Sequence, residues 1–282
     1  MSMPHLPQAK KATSRRLLLA VVTVHVGSIA PAAGADISAR DLTAELYRAE
    51  RTAPVDLSGR DLEGLDLSLI DFKAIRLQGA RLFGANLSGS DLSDADLSAA
   101  NLDRVNIIGA KFDRANLRGI SMLRPATTLG RAPGTEQPPS FRNANLRMAK
   151  VFGQLSRADL SGADLTDASL APFNKTGFIE DLFRTELEGA NLEGVNMNGS
   201  DLTYVSFRYA NLKGATLAGA RLHHADFSKA DLSGADLTGA DVSEADFDGA
   251  NLSGAKGLDR LVSANRARNL AVALSRMPQA TP

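Results

Sequence analysis

From Ala210 to Ala250 an alanine returns at every fifth position. An apolar residue follows two places later each time: Leu212, Leu217, Leu222, Phe227, Leu232, Leu237, Val242, Phe247 and Leu252. A step of five excludes both ordinary amphipathic elements, because helical faces return after about 3.6 residues and strand faces after every second residue. The Gly and Asp that fill the other positions oppose both elements as well. A short fixed period marks a chain that coils on itself, each unit packing on the units above and below it.

The same register reaches well beyond this stretch. Centres at Leu57, Leu62, Leu67 and Phe72 open a block that keeps step to Phe112, Leu117 and Met122, and a second block runs from Leu182 through Phe207 to Leu252. Between them Leu146 is followed by Leu155, Leu160, Leu165 and Leu170 in a shifted phase, which places the loss of one residue around Val151 to Gly153.

Units such as A-N-L-K-G, A-D-L-S-G and A-D-F-D-G resemble the pentapeptide-repeat family, whose unit is A-(D/N)-L-x-x, and the resemblance covers residues 55–255. It implies an all-β solenoid: a right-handed quadrilateral β-helix in which each unit forms one side and four units complete a coil. The central Leu or Phe and the preceding Ala would point inward, the other three positions outward. The expected inward ladder therefore includes Phe207, Phe227 and Phe247 with Ala210, Ala220, Ala230, Ala240 and Ala250. The spacing of rings offers a check on four-sidedness. Phe207, Phe227 and Phe247 lie 20 apart and Phe72 and Phe112 lie 40 apart, so a coil of four units stacks each set on one side of its block.

Both ends need cover, since an open coil exposes backbone edges and apolar side chains. Ser38 reads as the N-cap of a helix with Asp41 at the capping-box position and Ile37 and Leu42 as a staple. That helix is expected to end near Ala49, before Pro54. Residues 36–54 are thus a capping helix and linker, 55–257 the β-helix, and 258–282 a helical cap and tail carrying Leu258, Leu261, Val262, Leu270 and Leu274.

The first 35 residues have another character. Lys10, Lys11, Arg15 and Arg16 precede an apolar stretch from Leu17 to Ala30, and Ala33-x-Ala35 supplies the small residues a signal peptidase needs. The apolar stretch is short for a membrane span. Cleavage after Ala35 and export to the periplasm or beyond are expected, with no membrane attachment of the mature chain. Ser14-Arg15-Arg16-Leu17-Leu18-Leu19 resembles a twin-arginine export motif with Leu18 where Phe is usual. There is no cysteine, so disulfides and a lipid-anchored cysteine are both excluded. The 32 basic and 32 acidic residues become mildly acidic in balance once four basic residues leave with the signal peptide. That balance gives no electrostatic reason to expect nucleic acid as a partner.

Two interruptions break the repeat. Leu123–Ser140 holds Pro125, Gly130, Arg131, Pro133, Gly134, Pro138 and Pro139, which read as a loop leaving the coil, and Ala171–Glu180 reads as a shorter one. Outward loops on a rigid scaffold gather contacts, so Pro125, Arg131, Pro133 and Pro138 are candidate partner-binding residues. Tyr204, Arg208 and Tyr209 form the other candidate set, because tyrosine and arginine are common constituents of interface hot spots.

Catalytic, cofactor and metal residues are expected to be absent. His223 and His224 are the histidines that remain after signal cleavage, and two neighbours do not close a coordination shell. The repeat Asp residues sit just before each centre, where their side chains can hydrogen-bond the local backbone. Members of the resembled family that protect DNA gyrase act as mimics of the DNA duplex, which is the alternative function. The acidic run from Asp226 to Asp248 suits it, whereas the signal peptide and the spread of acids over all four sides do not. The expected function is a non-enzymatic exported scaffold with an unidentified protein partner, and pairing of two copies through Leu270 and Leu274 would cover the C-terminal segment.

Overall fold

The computed structural model describes residues 35–49, 54–72, 74–128, 137–172 and 184–276, which lie in the compact unit Pro31–Pro282. One repeat shows how five residues make one side. Asn211 bridges Asn191 on the coil below and Asp231 on the coil above. Its amide donates to Ala190 O at 3.0 Å, and the Leu212 amide donates to Asp231 O at 2.7 Å. The chain then turns: the Ala215 amide closes onto Leu212 O at 3.1 Å, with Gly214 at φ 62°. A positive φ at the third residue of a four-residue turn is the type II arrangement, which glycine enters without steric cost.

The residue before each centre has a local task. Asn211 Oδ1 accepts from the Lys213 amide at 3.2 Å, and Asp231 Oδ1 accepts from the Ser233 amide at 3.0 Å. This Asx turn satisfies an amide at the corner that the ladder leaves open, which explains why the position is filled so often by Asp or Asn. The same side chains also stack: Asn211 Nδ2 donates to Asn191 Oδ1 at 3.1 Å, and Asn251 Nδ2 to Asp231 Oδ1 at 3.1 Å.

Parallel bridges define four sides. Side 1 begins at Asp56, side 2 at Asp61, side 3 at Asp66 and side 4 at Asp71. The step along each is 20 residues through most of the coil. On side 1 it becomes 29 from Asn116 to Asn145, 19 from Asn145 to Asp164, and 32 from Asp164 to Asn196. The short coil carries the lost residue, between Lys150 and Gln154, and the long ones accommodate the two interruptions.

Inside, Ala and Leu alternate without exposure: Ala230, Leu232, Ala235 and Leu237 are all at most 1% accessible. Each fully buried leucine contributes ~1.5–3 kcal/mol relative to an exposed one. Phe207, Phe227 and Phe247 stack along side 3 with centroids 4.9 and 5.2 Å apart. On side 4, Phe112 stacks on Phe141 at 5.0 Å, and Phe72 occupies the same side two coils before Phe112. Phe141 belongs to the ladder although the sequence reading passed over it.

The first interruption is narrower than Leu123–Ser140. Strand β1, Ser121–Leu123, pairs in parallel with strand β2, Lys150–Phe152. The chain stays in the coil through Ala126, whose amide donates to Val105 O at 2.8 Å. Pro125 is therefore buried at an inward position, not on a loop, and Pro139 is buried at another. Proline suits these places because the amide it lacks would serve a corner bond alone, and the ladder bonds belong to its neighbours. Pro125 thereby leaves the set of surface candidates.

Gly153 marks the short coil. Its φ is 149°, and a Cβ there would lie 2.9 Å from Pro125 Cδ and 3.2 Å from Arg124 Cα. The close approach, more than the turn itself, requires glycine.

Helix α1, Ala39–Arg48, begins at Ser38, whose hydroxyl accepts from the Asp41 amide. Leu42 is fully buried in the core, with Ile37 and Leu46 packed beside it. Asp36 ties this segment to the coil, its amide donating to Asp61 O and its carboxylate accepting from the Asp61 amide, both at 2.9 Å.

At the other end the coil does not stop at Gly257. Val262 still bridges Asp241, and Arg268 bridges Asp246. Each side of this last turn has gained one residue, accommodated by short 3-10 turns at Leu258–Arg260 and Ala264–Arg266. The expected helix shrinks to α2, Leu270–Ser275. Leu270 is buried in the core and Leu274, partly buried, packs against it.

Candidate functional site

The corner of each repeat lies two residues past the centre, with φ near +60°. In the C-terminal block these corners divide sharply by side. Between sides 4 and 1 stand Gly194, Gly214, Gly234 and Gly254, and between sides 1 and 2 stand Gly199, Gly219 and Gly239. Between sides 2 and 3 stand Tyr204, His224 and Glu244, and between sides 3 and 4 Tyr209 and Lys229 sit with Gly189 and Gly249. All five side chains thus border side 3. A left-handed backbone costs an L-residue about 1–2 kcal/mol.

Their contacts run along the coil axis. The Tyr204 ring lies on the His224 imidazole with centroids 4.6 Å apart and planes 3° from parallel. Glu244, one coil further, accepts from Arg266 Nη2 at 3.1 Å. On the opposite margin Lys229 Nζ donates to the Tyr209 hydroxyl at 3.2 Å and lies 5.2 Å from the ring centroid. The Arg208 guanidinium sits 5.8 Å from the same centroid and 3.8 Å from Asp226. Ring pairs contribute ~0.5–1.5 kcal/mol and exposed cation–π contacts ~0.5–1 kcal/mol. These gains match the backbone cost at best, so folding alone gives no reason to prefer these side chains to glycine.

Lys229 and then Arg208 hold the Tyr209 phenol below its ordinary pKa through hydrogen bonds and charge. Tyr209 is 48% exposed, so the two cations and the hydroxyl are presented to solvent together. Tyr204 and Arg208 are half-buried. The structure brings Tyr209 and Arg208 into one cluster and sets Tyr204 across side 3 from them. Period-five reading supplied those three residues, but His224 and Lys229 were missed as their partners. The signal was available in the step of 20, which places 224 over 204 and 229 over 209.

The remaining candidates separate. Pro138 is partly exposed where the described chain resumes. Arg131 and Pro133 lie outside the described residues, as does Leu182. His223 does not join His224 as a metal pair: its Nε2 bonds Asp241 Oδ2 at 2.8 Å while His224 faces Tyr204. Partial burial of Asp241 opposes ionisation, but the bond from His223 and the Ser243 amide hold its carboxyl below the usual range. No cluster of three metal-ligating side chains occurs among the described residues.

Elsewhere several acids are engaged by basic residues of the neighbouring coil. Arg114 grips Asp94 with two bonds of 2.7 Å, and Arg142 grips Asp113 at 2.6 and 3.0 Å. Arg221 bonds Asp201 at 2.9 Å. Burial raises the cost of charging Asp201, but Thr203 and Arg221 outweigh it and keep its pKa low.

The model of the family described as pentapeptide repeats matches residues 55–89, 80–119, 181–219 and 215–254 in 8 copies. HetL, a pentapeptide repeat protein involved in heterocyst differentiation regulation in the cyanobacterium Nostoc sp. strain PCC 7120, is 28% identical in its solved structure. The match has a TM-score of 0.56 and covers 82% of this chain and 94% of HetL. QnrB1, a plasmid-mediated fluoroquinolone resistance protein, is 20% identical with a TM-score of 0.32, over 79% of this chain and 97% of its own. A pentapeptide repeat protein from the thylakoid lumen of Arabidopsis thaliana is 30% identical with a TM-score of 0.23, over 44% of this chain and 72% of its own. Among curated proteins, none matches the sequence. With its repeats, its coil of four sides and its likeness to HetL, the chain belongs to the pentapeptide-repeat family and adopts the right-handed quadrilateral β-helix.

Proposed function

We propose that this chain is an exported, non-enzymatic scaffold that binds a protein through the outside of its coil. The observation that carries the reading is the filled interior: through most of the coil both inward residues of a side, such as Ala230 and Leu232, are buried, and stacked phenylalanines fill side 3 of the C-terminal block. A small-molecule site asks for concavity and convergent polar groups, whereas the inward positions here carry aliphatic and aromatic packing. Binding is then left to outward side chains held on a rigid frame. Export rests on the basic run, the apolar stretch and Ala33-x-Ala35 in the sequence.

The DNA-mimic alternative asks for an acidic stripe along one side. On side 3 the acids Glu186, Asp226 and Asp246 are interrupted by Ser206, and Arg184, Arg208 and Arg268 lie within 4 Å of them in turn. That neutralisation favours the scaffold.

Fractionation of a tagged full chain tests export, with recovery in the periplasm expected. A periplasmic capture with the intact chain and with residues 128–138 replaced by a short linker tests what the first interruption does. Cytosolic retention together with gyrase inhibition by the purified protein would overturn the scaffold reading.

A further inference from the structure

We propose that the two margins of side 3, carrying Tyr204 and His224 on one and Tyr209 and Lys229 on the other, seat a carboxylate-rich segment of a partner protein. The inference rests on the scaffold reading and adds to it the place and the chemistry of the partner.

The distribution of corner residues is the first ground. In this block glycine fills every corner between sides 4 and 1 and between sides 1 and 2, yet Tyr, His, Lys or Glu replaces it at five of the seven corners that border side 3, Gly189 and Gly249 being the other two. The backbone requirement is the same at all four corners, so it cannot explain a difference between them. Side chains kept in a costly conformation at one edge of a molecule point to a function served at that edge. Corners of the first block show no such confinement: Leu69, Asp94, Ala99 and Arg104 fall on four different ones.

Charge supplies the second ground. The Lys229 ammonium makes no ion pair among the described residues, and it rests against the Tyr209 hydroxyl and ring. Arg208 pairs with Asp226 Oδ2 at 3.8 Å, too long for a hydrogen bond, so its N–H donors keep hydrogen-bonding capacity beside that charge. Ammonium, guanidinium and phenol hydroxyl therefore converge around one exposed ring. An arriving carboxylate meets charged donors there and gains charge-assisted hydrogen bonds. Across side 3 the stacked Tyr204 and His224 rings offer flat surface with little rotamer entropy to lose, which suits contact with the rest of a peptide. Glu244, engaged by Arg266, ends that margin with a negative charge and limits the seat to the two coils below it.

The test uses the purified mature chain and a variant carrying Tyr204→Gly, Tyr209→Gly, His224→Gly and Lys229→Gly. Fluorescence anisotropy with a labelled octaglutamate peptide reads binding, an octalysine peptide serves as control, and thermal melting reads stability. We expect the variant to melt at the same temperature or higher, and to bind octaglutamate about tenfold more weakly or worse. Lys229→Met, which keeps length and removes charge, should lose most of that binding. A lower melting temperature for the glycine variant would show that the edge serves the fold and would overturn the proposal. Equal octaglutamate binding by parent and variant, or none by the parent, would overturn it as well. Failure of the scaffold reading looks different: the intact chain would then capture no periplasmic protein. Capture of the same partner by parent and glycine variant would keep the scaffold and remove this edge.

Discussion

The Tyr204 ring lies flat on the imidazole of His224, 4.6 Å away and 3° from parallel, because the two residues are one coil apart and share a backbone conformation. Geometry that repeats every 20 residues turns any two side chains at that interval into neighbours. The rule applies inside as well as outside, and most of the following predictions exploit it.

Phe227 stacks on Phe207 on one side and Phe247 on the other. Phe227→Ala removes both contacts and opens a void in a closed tube, which costs about 3–5 kcal/mol. Phe227→Leu, the residue found at most other centres, should cost clearly less. Thermal melts of the two variants check the ranking, and equal losses would count against the stack.

Ala220 and Ala230 are each 1% exposed at inward positions. Ala220→Leu or Ala230→Leu forces a second large side chain into a side sized for one and should destabilise by roughly 1–3 kcal/mol or more. Denaturant titration reads the change. A neutral substitution would mean the tube widens more easily than its ladder suggests.

Acid should weaken the coil through its Asx turns. The Thr238 hydroxyl and amide hold Asp236 below the usual carboxylate range; at Asp231 partial burial opposes this, but Ser233 and Lys213 prevail. A carboxyl whose folded pKa is depressed contributes stability that is complete above its unfolded value of about 4. That stability is lost as pH falls through the folded value. Asp231→Asn with Asp236→Asn keeps the acceptors, as native Asn211 does, and removes the titration. The double variant should melt below the parent at pH 7, by the stability the two charged carboxyls contribute there, and lose less than the parent in the window below pH 4. Parallel curves for the two proteins would show that these carboxyls do not set the acid limb.

Gly153→Ala brings a methyl to 2.9 Å from Pro125 Cδ at a φ of 149°. It should destabilise by about 2 kcal/mol or more, whereas Gly59→Ala, with nothing within 4 Å of its Cβ, should cost about 1 kcal/mol. Melting both variants compares a crowded glycine at φ 149° with an uncrowded corner glycine at φ 68°.

Export, if it follows the small-residue motif, leaves Asp36 as the first residue of the mature chain. Asp36 is docked on Asp61 by two bonds of 2.9 Å, so the new terminus lies against the first coil. Mass spectrometry of the secreted protein should read a chain beginning Asp36-Ile37-Ser38.

The coil was legible because its period is independent of tertiary context: Leu212 and Ala215 face inward for the same reason as Leu232 and Ala235. The lost residue near Gly153 was legible too, since a phase slip moves every later centre. The limits of the interruptions were harder to read. Pro125 and Pro139 look like exits from a repeat, yet an inward corner position loses only a turn bond to proline. The segment from Leu258 misled in another way. Its leucines fit a helical face, but sides lengthened by one residue carry Val262 and Arg268 on along the same columns. Pairing across coils, as of Lys229 with Tyr209, is hidden until the coil length is used as a ruler.

The columns of bridges survive steps of 29, 19 and 32 without changing sides. Length change in such a chain is therefore quantised: whole coils can be gained or dropped, while any remainder is pushed out of line or absorbed at a single corner. Point substitutions adjust one coil at a time, but insertions confront a lock whose tumblers are set by fours.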